Sequence, residues 1–217
     1  MDASNKIVNI IKTSELETAL KSVVLAYENF PLFNYFLGKN SKTDLIMQIL
    51  GASVKAVKSE SICFSVGEKH QAVAIFIKPN YKGIPVFPFL LSGGAKLIFK
   101  HSPQIILRLL NYEKYAMKLK KRYSDQNCWY LYSLTVHPQY QHKGLASEVI
   151  RPILDFFDAT GQSCYLETNK FCNVQMYEHL GFVLLETGKI PGTSIAHYAM
   201  RRDSRNIFKC ENSHSSL

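Results

Sequence analysis

Apolar positions along the first third of the chain follow helical spacing. Leu16, Leu20, Val23, Val24 and Tyr27 recur every three to four residues, which predicts a helix with one apolar face. Thr13 and Ser14 precede Glu17 as in a capping box, and Pro31 is expected to end the helix. A second helix is expected over residues 41–58, with Leu45, Ile46, Ile49, Leu50 and Val54 turned inward; Gly51 weakens it slightly. β-Branched and aromatic residues then fill 61–66 and 71–78 around a turn at Gly67, which reads as a hairpin closed by Pro79. Residues 81–100 are apolar yet broken by Pro and Gly, and the pattern assigns them no element. Ser102-Pro103 places a hydroxyl cap before a first-turn proline and opens a helix. Its expected buried stripe is Ile105, Ile106, Leu109, Leu110, Ala116 and Met117. Lys114, Lys118, Lys120, Lys121 and Arg122 are read as a solvated face suited to the negative end of the helix dipole.

The rest of the chain alternates strand and helix. Residues 129–136 read as a central strand, with Tyr130, Tyr132, Leu134 and Val136 on one face and Trp129 and Leu131 on the other. Residues 144–160 form the next expected helix, loosened at Pro152 and capped by Gly161. A buried strand over 163–168, a short helix over 171–180 ended by Gly181, and strands over 182–187 and 194–201 around Pro191-Gly192 complete the order. This succession predicts an α/β (α+β) fold, a mixed and mostly antiparallel twisted sheet with helices on both faces. One domain over 1–203 is expected, with 1–126 on the acceptor side, 127–201 as the core, and 204–217 as a polar tail.

Composition narrows the class. Of 217 residues, 47% are hydrophobic and 20% charged, as in an ordinary globular protein. No stretch is long and apolar enough to span a bilayer, and residues 1–11 do not read as a signal peptide. Cys63, Cys128, Cys164, Cys172 and Cys210 lack metal or redox spacing, so they are read as buried free thiols of a cytoplasmic protein. No set of His, Cys, Asp and Glu has metal-ligand spacing, and no metal is expected. Lys and Arg exceed Asp and Glu by 26 to 17, a net charge of +9 that favours anionic partners.

The chemistry concentrates at Gln141-His142-Lys143-Gly144-Leu145-Ala146, between the central strand and the long helix. The first amides of a helix have no intrahelical acceptor, and the positive end of its dipole adds to them, so the turn is an anion site. Gly144 lets a phosphate approach the backbone, Ala146 is small for the same reason, and Gln141 either holds the loop or donates its amide. This is neither a Walker loop nor a dinucleotide fingerprint.

With the flanking motifs, residues 129–201 resemble the GNAT superfamily of acetyl-coenzyme A-dependent N-acetyltransferases. The resemblance rests on Leu131-Tyr132-Ser133-Leu134-Thr135-Val136, His137-Pro138, the glycine loop, Leu166-Glu167-Thr168, Asn173, Tyr177 and Glu178-His179-Leu180-Gly181-Phe182. The pattern, including Pro152, is similar to the branch containing puromycin N-acetyltransferase. It implies acetyl-coenzyme A as co-substrate. Leu134, Thr135 and Val136 would pair with the pantetheine arm, amides from Gln141 through His142, Lys143, Gly144, Leu145 and Ala146 to Ser147 would bind pyrophosphate, and Asn173 would bond the pantetheine. Tyr177 would protonate the departing thiolate. Asn173 and Tyr177 stand four apart on one helix and share a face, and a tyrosine hydroxyl is protonated at neutral pH.

Glu167 is a candidate base, a binder of a cationic substrate, or a loop anchor. His137 and His142 read as structural or peripheral. The acceptor implied by the branch is a small amine, and a monomer or homodimer is expected, with no membrane and no nucleic acid as partner. Two other classes stay open: a non-catalytic acyl-coenzyme A binder, and a basic nucleic-acid binder using the 114–122 helix and Arg201, Arg202 and Arg205.

Overall fold

Seven strands, β1 (Asn9–Ile10), β2 (Ser61–Val66), β3 (Ala72–Ile77), β4 (Cys128–Val136), β5 (Ser163–Thr168), β6 (Val183–Lys189) and β7 (Ala196–Arg202), form one sheet in the order β1-β2-β3-β4-β5-β7-β6. The computed structural model describes residues 8–38, 43–100 and 102–205, with the side chains of residues 98 and 100 left aside. The expected polar tail beyond residue 205, Cys210, and the expected helix start at residues 41–42 lie outside the described residues. Every neighbouring pair is antiparallel except β4 and β5, which run parallel. The mixed sheet expected from the alternation of elements is therefore the one observed.

Helices cover both faces. On one, α7 (Leu145–Thr160) lays Val149, Ile150, Ile153, Leu154 and Phe157 into a core shared with α8 (Phe171–His179) and the inward side chains of β3 to β5. Each such side chain contributes roughly 2 kcal/mol by leaving water. On the other face α1 (Leu16–Val23) packs through Leu16, Ala19, Leu20 and Val23, while α6 (Pro103–Tyr123) meets Tyr130 and Tyr165 through Leu119. Between them α2 (Pro31–Leu37), α3 (Thr43–Ala56), α4 (Val86–Phe89) and α5 (Ala95–Lys100) build a second apolar cluster around Phe33, Phe36, Ile46 and Phe89. Residues 81–100, which the sequence pattern left without an element, are thus largely helical. A π-helical turn over Leu90–Gly94 joins α4 to α5, and Gly93 at φ 116° supplies a backbone conformation that side chains resist.

Several local expectations are overturned. Glu15, not Thr13 or Ser14, precedes α1, and no side chain caps the helix; the Glu15 carboxylate instead accepts from Lys12 N at 3.1 Å. Pro31 starts a helix rather than ending one, because its missing N–H costs nothing at a first helical position. Ser102 does cap α6, accepting from Gln104 N at 3.2 Å. Of the expected inward stripe of α6, Ile105 and Ala116 are buried and Ile106, Leu109 and Met117 pack half-buried against the core, joined by Leu119 and Lys120, whereas Leu110 is 46% exposed. Lys120 is buried rather than solvated, and its Nζ donates to the Tyr81 carbonyl at 3.4 Å.

The largest correction concerns β4. Its register with β3 passes from Ile75↔Ser133 to Phe76↔Leu131, so Tyr132 is an extra residue, a β-bulge. Side-chain alternation therefore flips at that point. Leu134 and Val136 pack with Trp129 and Leu131 against the α7 core, while Tyr130 and Tyr132 pack on the opposite side. The sequence reading had placed Leu134 and Val136 with the tyrosines, since strict alternation cannot see an inserted residue.

At the C-terminal end, Arg202 pairs with Asp158 of α7 through two bonds of 2.8 and 2.6 Å and donates to the Leu180 carbonyl at 3.0 Å. Arg201 pairs with Asp125 and Asp203. The basic run at 201–205 is accordingly tied into the fold. Among the described cysteines Cys63, Cys128 and Cys164 are buried free thiols, whereas Cys172 is exposed, against the expectation.

Candidate active site

The site begins where two parallel strands part. Strands β4 and β5 pair only at Cys128↔Ser163, Trp129↔Cys164 and Tyr130↔Tyr165. Beyond Tyr130, β4 runs on to Val136 without β5 as a partner, while β5 runs on through Leu166, Glu167 and Thr168 paired to β7. Buried backbone polar groups need partners. An opened strand edge next to a cleft therefore fits an extended, amide-bearing ligand.

At the far end of β4 the chain makes a tight turn into α7. His137 Nδ1 accepts from Gln139 N at 3.3 Å, heading a short 3₁₀ turn over Pro138–Tyr140. Gln141 Nε2 then donates to the Val136 carbonyl at 3.2 Å, so Gln141 holds the loop to the strand end. His142 at φ 61° and Gly144 at φ 81° are both left-handed, and together they swing the chain onto the helix axis. The first α7 bond runs from Glu148 N to the Gly144 carbonyl, which leaves the amides of Leu145, Ala146 and Ser147 without an intrahelical acceptor. Buried Leu145 pins this start into the core, while Gln141 to Gly144 are exposed. A Cβ placed on Gly144 would meet nothing within 4 Å, so the cradle is open above it. Lys143 lies over the Tyr140 ring at 5.3 Å, with its ammonium beside the same loop.

Both walls of the parting strands line a single cavity of about 180 Å³. Leu131, Tyr132, Ser133 and Leu134 contribute from β4; Glu167, Thr168 and Asn169 from β5 and its end; Asn173 and Tyr177 from α8. The structure thus brings Glu167, Asn173 and Tyr177 into the lining of one cleft and places the Gln141–Ser147 loop beyond the end of β4. Asn173 Nδ2 donates to Thr168 Oγ1 at 3.1 Å, which fixes its amide at the cavity wall. Tyr177 is buried with its ring against Phe182, and burial first of all raises its hydroxyl pKa above the ordinary value, so it is a proton-bearing group at neutral pH. Glu167 Oε2 accepts from the Tyr130 hydroxyl at 2.6 Å, while its Oε1 is buried with no partner. Burial raises Glu167 to about 7, with Glu113 adding and the Tyr130 and Tyr165 hydroxyls and Lys120 opposing. A carboxyl balanced near neutrality beside a cleft has the properties of a proton acceptor.

Other members of the cavity escaped the sequence reading. Tyr27 reaches across from the turn after α1, its hydroxyl 2.6 Å from both Ser133 Oγ and Thr135 Oγ1. Glu113 on α6 also lines the cavity and accepts at Oε1 from Tyr81 Oη at 3.0 Å and Ile84 N at 2.9 Å. Burial raises its pKa, and these two donors oppose the rise. One signal for Glu113 was present: it is the only acidic residue between positions 69 and 124, set inside an amphipathic helix. Behind Asn169, whose Nδ2 lies 3.3 Å from His197 Nδ1, burial lowers His197 to about 4 and keeps it neutral. Among the described residues no group of three or more His, Cys, Asp or Glu is placed to hold a metal ion. No helix among them is long and apolar enough to cross a membrane.

Strands β4 and β5 thus part after three pairs, and a glycine turn at the end of β4 heads α7. Residues 111–182 match the acetyltransferase (GNAT) family. A curated relative from Schizosaccharomyces pombe, described as an uncharacterized N-acetyltransferase, is 40% identical over 90 residues. That match takes in 42% of this chain and 34% of the relative, so the chain spans about a third of the relative's length in the matched region. Among solved structures, a histone acetyltransferase HPA2 and related acetyltransferase from Corynebacterium glutamicum superposes with a TM-score of 0.61 at 17% identity, over 91% of this chain and 95% of that one. A Drosophila melanogaster polyamine N-acetyltransferase, which forms N-acetylagmatine, gives 0.56 at 15% identity over 91% and 99%. Arylalkylamine N-acetyltransferase 2 from Aedes aegypti gives 0.56 at 15% identity over 92% and 99%. These likenesses establish the fold.

Proposed function

We propose that this protein is a cytoplasmic N-acetyltransferase that moves the acetyl group of acetyl-coenzyme A directly onto a small primary amine. The observation that carries the reading is the shared cavity. The open edge of β4 and two proton-handling side chains, Glu167 and Tyr177, line one cleft, and the helix-start amides stand beyond the far end of the same strand. Leu134, Thr135 and Val136 offer the free strand edge to the amides of a pantetheine arm. The amides of Leu145, Ala146 and Ser147, with the exposed backbone of Gln141, His142, Lys143 and Gly144, receive the pyrophosphate, and Asn173 bonds the arm from α8.

Two substrates held in line lose little further entropy on reaction, so alignment supplies much of the acceleration. Glu167 takes a proton from the neutral amine as it attacks, directly or through water, and its elevated pKa suits that task. Tyr177 donates its hydroxyl proton to the thiolate as the thioester bond breaks. No covalent bond to the protein is required. The cavity admits a small acceptor, and its acceptor side is built from the first 123 residues.

The test is calorimetric titration with acetyl-coenzyme A followed by amine-dependent release of the coenzyme A thiol. Saturable binding with turnover of at least one primary amine is expected. Binding without turnover on a broad amine panel would leave a non-catalytic binder as the better description.

A further inference from the structure

The cavity lining is of two kinds. Glu167, Glu113 and the hydroxyls of Tyr130 and Tyr132 form its polar end, whereas Phe30, Phe33, Phe36, Phe89, Ile106 and Leu109, all members of one apolar cluster, form its apolar end. Among the described residues no Lys, Arg or His lines it. Of the cations nearby, Lys120 donates to the Tyr81 carbonyl and Arg108 to the carbonyls of Tyr35 and Phe36, while Lys170 stands over the ring of Phe30.

Charge at the polar end is also specific. Glu113 Oε1 is already held by two donors, while Glu167 Oε1, with the Tyr165 hydroxyl nearby, is buried without a hydrogen bond. Glu167 Oε1 can therefore accept from an incoming donor. A second ammonium on the same molecule would have to rest among phenylalanine and leucine side chains, and an acceptor carboxylate would share the cavity with two carboxyls and no lining cation. Removing a charge from water without a partner costs several kcal/mol. A benzene-sized group fits a cavity of this order of volume.

Resting on the acetyltransferase reading above, we infer that the acceptor is a primary monoamine with an apolar aliphatic or aromatic tail. It binds with its nitrogen at Glu167 and its tail against Phe33, Phe36 and Leu109. Diamines, polyamines and free amino acids are discriminated against. The transfer forms the amide C–N bond and breaks the C–S bond, one proton leaving the nitrogen toward Glu167 and one reaching sulfur from Tyr177.

Two matched pairs test this: hexylamine against 1,6-diaminohexane, and 2-phenylethylamine against phenylalanine, each with saturating acetyl-coenzyme A. In each pair kcat/KM for the monoamine is expected to exceed its partner by at least tenfold. Equal or reversed ranking overturns the substrate class while keeping the activity. No turnover of any of the four, with acetyl-coenzyme A still bound in calorimetry, also overturns the class and leaves the cofactor site standing. Absence of acetyl-coenzyme A binding overturns the reading on which the class rests. Ile106→Asp, placing a carboxylate on a half-buried residue of the apolar end, is expected to raise the diaminohexane-to-hexylamine ratio at least tenfold. An unmoved ratio in a variant that still binds acetyl-coenzyme A shows that the tail does not lie there.

Discussion

The two halves of this molecule assemble their sites by different means. From β4 to α8 the site consists of consecutive backbone: an open strand edge, a glycine turn and the first amides of α7, with Asn173 and Tyr177 following on the next helix. Before β4 the cavity wall is made of side chains from α2, α3, α4 and α6 and the turn after α1, scattered from Tyr27 to Glu113. Backbone chemistry demands particular residues at particular spacings, such as Gly144 at φ 81°. Packing against an apolar ligand demands only size and shape, which many sequences meet. The proposed cofactor side is therefore written as a motif, and the proposed acceptor side as composition.

The comparison breaks first at the clamp holding the later half together. Asp158→Ala leaves the buried Arg202 guanidinium unpaired and is expected to destabilise the protein by about 3 kcal/mol, read by chemical denaturation. A change below 1 kcal/mol would show that the tie between α7 and β7 is incidental. Tyr177→Phe is expected to lower kcat about 100-fold, within the span typical of a positioned proton donor. Acetyl-coenzyme A affinity in calorimetry should change less than threefold; an unchanged kcat would remove Tyr177 from the chemistry.

Glu167→Gln sharpens the comparison through pH. If the carboxylate is the working form, kcat/KM rises with pH through about 7 in the wild type. The variant should lose that rise and fall roughly tenfold at pH 8. The sign for stability is opposite. A carboxyl whose folded-state pKa lies above its unfolded value contributes stability that is complete below about 4.5 and is lost as pH rises through about 7. The Tm of Glu167→Gln should accordingly decline less than wild type between pH 5 and pH 8. Leu109→Ala, at the acceptor end, has the smallest expected effect. KM for the apolar amine should rise about fivefold, the worth of roughly 1 kcal/mol of lost apolar contact. Acetyl-coenzyme A affinity should not move, and a matching fall in it would show that the two ends are not separate.

Reading the sequence recovered β5, α7, α8 and the β2–β3 hairpin with small errors at their ends, because each carries a strong period and a Gly or Pro at its limit. It missed what insertion and long-range contact decide. The bulge at Tyr132 reverses the faces of Leu134 and Val136, and alternation alone has no means of registering it. Lys120 looked solvated among its basic neighbours, yet the Tyr81 carbonyl draws it inward. The helices over 86–100 were hidden by Pro88, Gly93 and Gly94, residues that here kink a helical run instead of preventing one.

By itself the sequence determined the turn from β4 into α7, since glycine at a left-handed position followed by a small residue leaves little conformational choice. It likewise determined the spacing of Asn173 and Tyr177, because a helix sets two residues four apart on one face. Only the tertiary structure decided which carboxyls enter the cleft. Glu113 and Glu167 lie on a helix and a strand far apart in the chain, and their elevated pKa values arise from burial that no local pattern encodes. The cavity they share exists because β4 and β5 part after three pairs and distant helices close over the gap.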